Sequence, residues 1–565
     1  MYILFAYSIC EFEKLAVKGK VKKIVYWAFN GIYMACWDRN LCLFSLGEFL
    51  SKYDVALVCT DWRKWLMREK IQKSGIVIVG IFFIIICHGY RFFDLMYSHD
   101  SLLVVQNDYI WQISLGRWLQ PVIVMLRGYI CAPLLIMVLQ GLFLISASYM
   151  IIDLFCISNK LNVIMVIGVL VTNITITLTN ATYLPWSDMF ALSLFLAVLS
   201  VYAFEKIDVK PIKYIVVIFS VCAMLAIYQA YLSVLLGLIL ISLILLDNEK
   251  TIMDYLKIIA QWFCCLLIAG IIYYVTWKLI VHFMDITVAD TYNGLSNAKV
   301  GFRDLVARAL GTYPEFFVYF SNPSSYTTLY SINPVISAIL VISNWICIVS
   351  SFVIVILKSK GLNRLYNIIL CCLFPLALGF VKIFSGETFH SLMKYSYVLV
   401  YVFLIIILDR YIVDWRLSIK RAVSIVTSLC IILLVWNNIV FANQAYTEKA
   451  LQEKQTFAYV TNLVNRIEAY PGYIAGVTPV NFVGTIEGSG YFDDALGWGG
   501  ISSAGYSTTM ITYRGVLTEY LNTMINTNMV FSELETSEAT VGMPNYPSDG
   551  SIAIINDTMY VKLSD

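Results

Sequence analysis

Charge is scarce in this sequence. Asp, Glu, Lys and Arg together supply 13% of its residues and 60% are hydrophobic, a balance that excludes an ordinary soluble domain. The 39 basic and 37 acidic residues leave a formal charge of +2. No basic face or binding motif accompanies that charge, so nucleic acid is not a partner. Only four histidines occur, and no cysteine follows Cys430, so the polar C-terminal part holds no disulfide. Most of the 14 cysteines sit in apolar runs or in the first 60 residues, where cysteine serves as a small apolar filler. Cys371-Cys372 lacks metal spacing, and neither a metal nor any other cofactor is expected. Short alternating segments are missing too, which excludes a β-barrel.

Continuous apolar runs of about 16–25 residues, bounded by charge or by Gly, Pro and Asn, stand in their place. They predict an α-helical polytopic membrane protein with eleven spans, near 75–89, 130–156, 162–180, 188–204, 212–228, 231–246, 256–283, 334–357, 365–384, 395–408 and 421–441. Lysine and arginine favour the cytoplasmic side. The cluster Arg63, Lys64, Arg68, Lys70 and Lys73 therefore puts the amino end inside. Alternation then brings Lys160, Lys206, Lys210, Lys213, Lys250, Lys358, Arg364, Arg410 and Lys420 to the same side, whereas loops 181–187 and 229–230 carry no basic residue. Residues 1–73 form a cytoplasmic or interfacial extension, or else an over-called start before Met67. Residues 74–442 form the membrane domain. Residues 443–565 form an extracytoplasmic α/β domain with a helix from about 444 to 469, a second near 513–525, and a closing hairpin through Asn556-Asp557.

Chemistry is expected in the first outer loop, Arg91 to Pro121. It gathers Asp94, His99, Asp100 and Asp108, then the turn Gly116-Arg117-Trp118. Glycosyl transfer from a polyprenyl-phosphate lipid needs a base for the acceptor hydroxyl and positive charge for the departing phosphate. Asp100 fits the base, with His99 orienting it. Asp94 and Asp108 are further catalytic candidates, or a helix-end residue and a loop cap. Arg117 and Arg127 suit phosphate because arginine contacts its oxygens bidentately; the other reading of Arg117 is a snorkelling side chain. A second outer loop offers Glu387, His390 and Lys394. Tyr228, Gln229 and Tyr231, where one span ends and the next begins, are substrate-binding candidates: the two aromatic rings could stack on a sugar or belong to an aromatic belt.

These elements in this order resemble the bacterial serotype-converting glucosyltransferases that decorate O-antigen and related surface polymers. The resemblance rests on His99-Asp100, Trp111, Gly116-Arg117-Trp118-Leu119, Pro133, Tyr228-Gln229-Ala230-Tyr231, Asn443-Gln444-Ala445-Tyr446 and the closing Tyr546-Pro547 through Leu563, and it spans residues 75–565. It implies a GT-C-type fold in the bacterial cytoplasmic membrane, undecaprenyl-phosphate glucose or a similar lipid-linked sugar as donor, and a surface polysaccharide or lipid-linked glycan as acceptor. Many relatives carry two adjacent aspartates where this chain has His99 before Asp100, which favours a single carboxylate base without metal. The alternatives are a transporter or flippase of a polyprenyl-linked sugar, and a glycan polymerase or ligase. A transporter would place ionisable groups near the bilayer midplane, whereas charge here concentrates in the loops.

Overall fold

The computed structural model describes residues 55–93, 110–246, 251–288, 301–327, 333–385, 389–411, 417–484, 514–532 and 538–564. The chain divides into two compact units, Met1–Lys73 and Ser74–Asp565, and the second carries every side chain discussed below. The expected site residues Asp94, His99, Asp100, Asp108 and Glu387 lie outside the described residues.

Helices dominate. The first is α1 (Val55–Phe93), followed by the short α2 (Ile110–Ser114) and α3 (Leu119–Leu126). Next come α4 (Pro133–Leu154), α5 (Lys160–Val171), α6 (Ile174–Thr182), α7 (Ser187–Lys206), α8 (Lys210–Ile227), α9 (Leu232–Ile244) and α10 (Ile252–Phe283). Then follow α11 (Phe302–Leu310), α12 (Thr312–Ser321), α13 (Pro334–Lys358), α14 (Gly361–Leu378), α15 (Phe380–Ser385), α16 (Leu399–Tyr411), α17 (Leu417–Glu468) and α18 (Arg514–Tyr520).

Local chemistry sets the starts. Asn159 accepts from the amides of Leu161 and Asn162 at the head of α5, and Asn173 accepts from Thr175 at the head of α6. Thr251 and Asp254 form a reciprocal capping box on α10, satisfying amides that lack an intrahelical acceptor. Pro334 occupies the first turn of α13, where its missing amide proton costs nothing.

Nine helices among the described residues are long and apolar enough to cross a membrane. Two of the eleven expected runs come out shorter. Of the run 231–246, residues 231–244 fall in the short apolar helix Gln229–Ile244, and of the run 395–408, residues 399–408 fall in the 13-residue α16. Each is entered through a 3-10 turn, Gln229–Tyr231 and Tyr395–Val398. Thirteen residues rise only about 20 Å against a hydrocarbon core of about 30 Å. Burial orders the bundle: 89% of the apolar window in Lys160–Thr182 is buried, against 17% in α10, so α5 and α6 are central and α10 is peripheral. The outward side chains of α10, such as Phe263, Leu267, Ile271 and Leu279, are exposed hydrophobics, as contact with lipid requires.

After the bundle, α17 runs unbroken for 52 residues, through the position where composition divides the membrane and C-terminal parts. Its far end packs Tyr459, Leu463 and Ile467 against Val480, Phe482, Leu517, Tyr520, Met559 and Val561 in a second hydrophobic core. Four strands share that core: β1 (Pro479–Val483), β2 (Val530–Phe531), β3 (Ile552–Ile555) and β4 (Thr558–Lys562), in the order β2-β1-β4-β3. β1 runs parallel to both neighbours, and β3 pairs antiparallel with β4. The closing hairpin turns at Asn556 and Asp557, with φ of 49° and 60°.

Candidate active site

The Gly-Arg-Trp turn is a folded feature with its own supports. Gly116 has φ +83°, which lets the chain reverse after α2, and its amide donates to the carbonyl of Ile113 at 2.9 Å. The carbonyls of the turn also accept from side chains of other elements. Trp277 Nε1 donates to Ile113 O at 2.7 Å, Gln229 Nε2 to Leu115 O at 3.3 Å, and Tyr273 Oη to Gly116 O at 3.1 Å. Gln229 Nε2 also reaches Tyr273 Oη at 3.0 Å. A Cβ on residue 116 would collide with the Tyr273 hydroxyl, so glycine is needed both for its backbone angle and for space.

Arg117 follows that glycine. Its Nη1 donates to Gln112 Oε1 at 3.1 Å, and its Cζ stands 5.0 Å from the centroid of the Tyr228 ring. Among the described residues its buried Nε has no hydrogen-bond acceptor. Tyr228 also stacks on Phe190 at 4.2 Å, and an edge contact of 6.0 Å joins it to Tyr231. Tyr231 in turn lies 5.7 Å from Tyr395, whose hydroxyl donates to Leu170 O at 2.9 Å. Tyr228 and Tyr231 are both buried. They form a floor of rings beneath Arg117, and in this arrangement they pack on protein groups.

Lys394 ends that floor, one residue before Tyr395. Its Nζ donates to Glu315 Oε1 at 2.7 Å and lies 5.2 Å from the Phe389 ring and 5.7 Å from the Tyr319 ring. Lys382 Nζ reaches the other Glu315 oxygen at 3.2 Å and Gly311 O at 3.3 Å. Burial pushes the Glu315 carboxyl up, but hydrogen bonds and charge from Lys394 and Lys382 outweigh it and hold the group below the usual glutamate range. The nearby His390 is held below the ordinary imidazole range, first by burial and then by the charge of Lys394.

Arg127 is placed differently. Its Nη1 donates to Asp188 Oδ1 at 2.8 Å and its Nη2 to Pro185 O at 2.7 Å, in an ion pair whose two side chains are 3% and 2% exposed. This pair fastens the end of α3 to the start of α7. Arg91, buried in the last turn of α1, donates to Asn180 O at 2.9 Å, and His88 bonds Tyr446 Oη at 2.7 Å and Val171 O at 3.1 Å. Asn180 lies in the last turn of α6, beside the segment that carries Asp188. Both flanks of segment 94–109 are thus rooted at the end of the bundle that holds Arg117.

The structure therefore brings Arg117, Tyr228, Gln229, Tyr231 and Lys394 to one end of the bundle and places His390 beside Lys394. Sequence reasoning did not select Glu315, Lys382, Tyr273 or Trp277. Lys382 carried a signal, because a lysine inside an apolar run is expensive without a partner. Glu315 carried none, since its partners lie 67 and 79 residues away.

Comparison with curated proteins and with solved structures returns no match. A family model described as glucosyl transferase GtrII matches residues 89–407. The matched stretch starts in the last turns of α1 and ends in α16, so it holds the Gly-Arg-Trp turn, the ring floor and the Lys394 cluster, and leaves α17 and the sheet outside. Because it covers more than half of the chain, the chain belongs to the glucosyl transferase GtrII family.

Proposed function

We propose that this protein transfers a sugar, glucose by its family, from a polyprenyl-phosphate donor to a surface glycan at the outer face of the cytoplasmic membrane. The observation that carries the reading is the gathering of Arg117 and Lys394 at the end of the bundle where segment 94–109 is rooted. That segment supplies the acid–base residues, Arg117 on its C-terminal flank supplies one cation, and the turn before Tyr395 supplies the other. In the reaction, Asp100 takes the proton of the acceptor hydroxyl as that oxygen bonds to the anomeric carbon. The bond from the anomeric carbon to the phosphate oxygen breaks, and its electron pair leaves with the lipid phosphate. His99 orients Asp100, while Asp94 and Asp108 shape the field around it. Arg117 and Lys394 face the charge that grows on the phosphate, where fixed cations lower the barrier most. His390, beside Lys394, and Glu387 are assigned to substrate binding. Tyr228, Gln229 and Tyr231 hold the floor in place, and Arg127 is assigned to bracing α3 against Asp188.

Asp100→Asn tests this directly. A general base contributes about 10²- to 10⁴-fold, so sugar incorporation from a polyprenyl-phosphate donor should fall by that range with membrane insertion unchanged. Wild-type transfer rates in this variant would remove Asp100 as the base. A wild-type protein that moves the lipid-linked sugar across the bilayer without forming a glycosidic product would favour the flippase.

A further inference from the structure

We propose that Lys382, Glu315 and Lys394 form a phosphate site in which Glu315 is a resident carboxylate, displaced when the phosphate of a membrane lipid binds. The inference rests on the polyprenyl-phosphate reading above and adds residues and an order of events to it. Three separate elements build the cluster: α12 supplies Glu315, α15 supplies Lys382, and the turn before Tyr395 supplies Lys394. Each carboxylate oxygen takes one ammonium, Oε1 from Lys394 and Oε2 from Lys382. Two oxygens of a phosphate can engage the same pair of ammonium groups.

The charges do not cancel. Two lysines share one carboxylate, and Arg308 adds a third cation close by, its Nη1 donating to Ile383 O at 3.4 Å. The side chains of Lys382, Glu315 and Lys394 are 21%, 25% and 14% exposed, so the excess positive charge sits partly desolvated against the rings of Phe389 and Tyr319. A surplus cation in such a place is costly until a further anion arrives. An ammonium also has three donors. Among the described residues Lys394 directs one to a protein acceptor and Lys382 directs two, which leaves donors for a ligand. Aromatic rings around the ammonium suit a headgroup that carries hydrocarbon. Glu315 therefore competes with the ligand: it keeps the two lysines apart and oriented when the site is empty, and it weakens binding by its own charge.

The test uses the full-length protein in lipid nanodiscs, titrated with polyprenyl monophosphate, with inorganic phosphate as competitor in a parallel arm. Lys382→Ala and Lys394→Ala should each weaken lipid-phosphate binding about tenfold or more, the scale of a lost charge-assisted hydrogen bond, and Lys394→Arg should recover most of it. Glu315→Gln should tighten binding severalfold, an effect that a purely structural ion pair would not give. Monodisperse protein with wild-type melting in Glu315→Gln and Lys394→Arg keeps the comparison independent of folding. Unchanged or weaker binding in Glu315→Gln overturns the displaced-carboxylate assignment. Inorganic phosphate that binds as tightly as the lipid, with no gain from the hydrocarbon, overturns the lipid as the source of the anion. Triad-dependent binding in a protein that transfers no sugar supports the site and removes only the transfer reading. Sugar transfer in the presence of lysine variants that bind normally removes only the site.

Discussion

Gly116 shows how much one position can carry. Its positive φ and the Tyr273 hydroxyl in the place of a Cβ together disfavour a side chain. Gly116→Ala should cost about 1 kcal/mol or more in backbone strain and push Tyr273 off the Gly116 carbonyl. The expected result is a rise of several-fold in donor KM as Arg117 loses its setting over Tyr228, with normal insertion; unaltered donor kinetics would mean that the turn does not set the site. The glycine was legible in the sequence, because a Gly-Arg-Trp triplet beside a membrane segment announces a turn. Its partners Tyr273 and Trp277 were not, since on a lipid-facing helix they look like any other interfacial aromatics. Arg127 was legible as a loop cation but not as a strut, because its partner Asp188 lies 61 residues on. Glu315 was hidden for the same reason.

Elements were legible to the degree that period and turn chemistry determine them. The long apolar runs became helices near their expected places because backbone groups in a bilayer leave the chain few other choices. The two runs entered through aromatic 3-10 turns departed from expectation because apolar composition does not reveal where α-helical hydrogen bonding begins. The closing hairpin lay open to reading: β-branched residues flank Asn556-Asp557, the residue types that tolerate left-handed backbone. The unbroken α17 did not, since the loss of apolar character after residue 441 looks like an end when it marks only a change of surroundings. At the hairpin, Asp557 has φ 60°, where glycine is less costly than aspartate. Asp557→Gly should raise the stability of the four-stranded sheet by about 0.5 kcal/mol, the scale of relieved left-handed strain offset by added chain entropy. A thermal melt of the purified protein checks the direction, and a lowered midpoint would show that the carboxylate of Asp557 supports the turn in a way its backbone does not reveal.

For the whole molecule, function depends on which side of the membrane holds the ring floor and its cations. Arg117, Lys394 and Glu315 lie at one end of the bundle. Cys156 and the Lys206–Asp153 pair, 3.6 Å apart, lie at the ends of α4 and α7 remote from the Arg127–Asp188 strut. α17 leaves the bundle at the site end, since Tyr446 meets His88 there, and continues into the sheet. Site and sheet are therefore on the same side, and one measurement locates both. If lysine-rich loops stay in the cytoplasm, a tag after the last strand should be digested by protease added to intact spheroplasts. A membrane-impermeant maleimide should modify Cys156, which is exposed, only in inverted vesicles or after permeabilisation, with Cys156→Ser as the control. The two results are linked through the crossings between α4 and α17, so agreement between them checks that this number is odd as well as the orientation. A protected tag together with Cys156 labelled from outside would put the cations and the root of segment 94–109 in the cytoplasm. Surface-glycan transfer would then have no acceptor within reach, whatever Asp100 does.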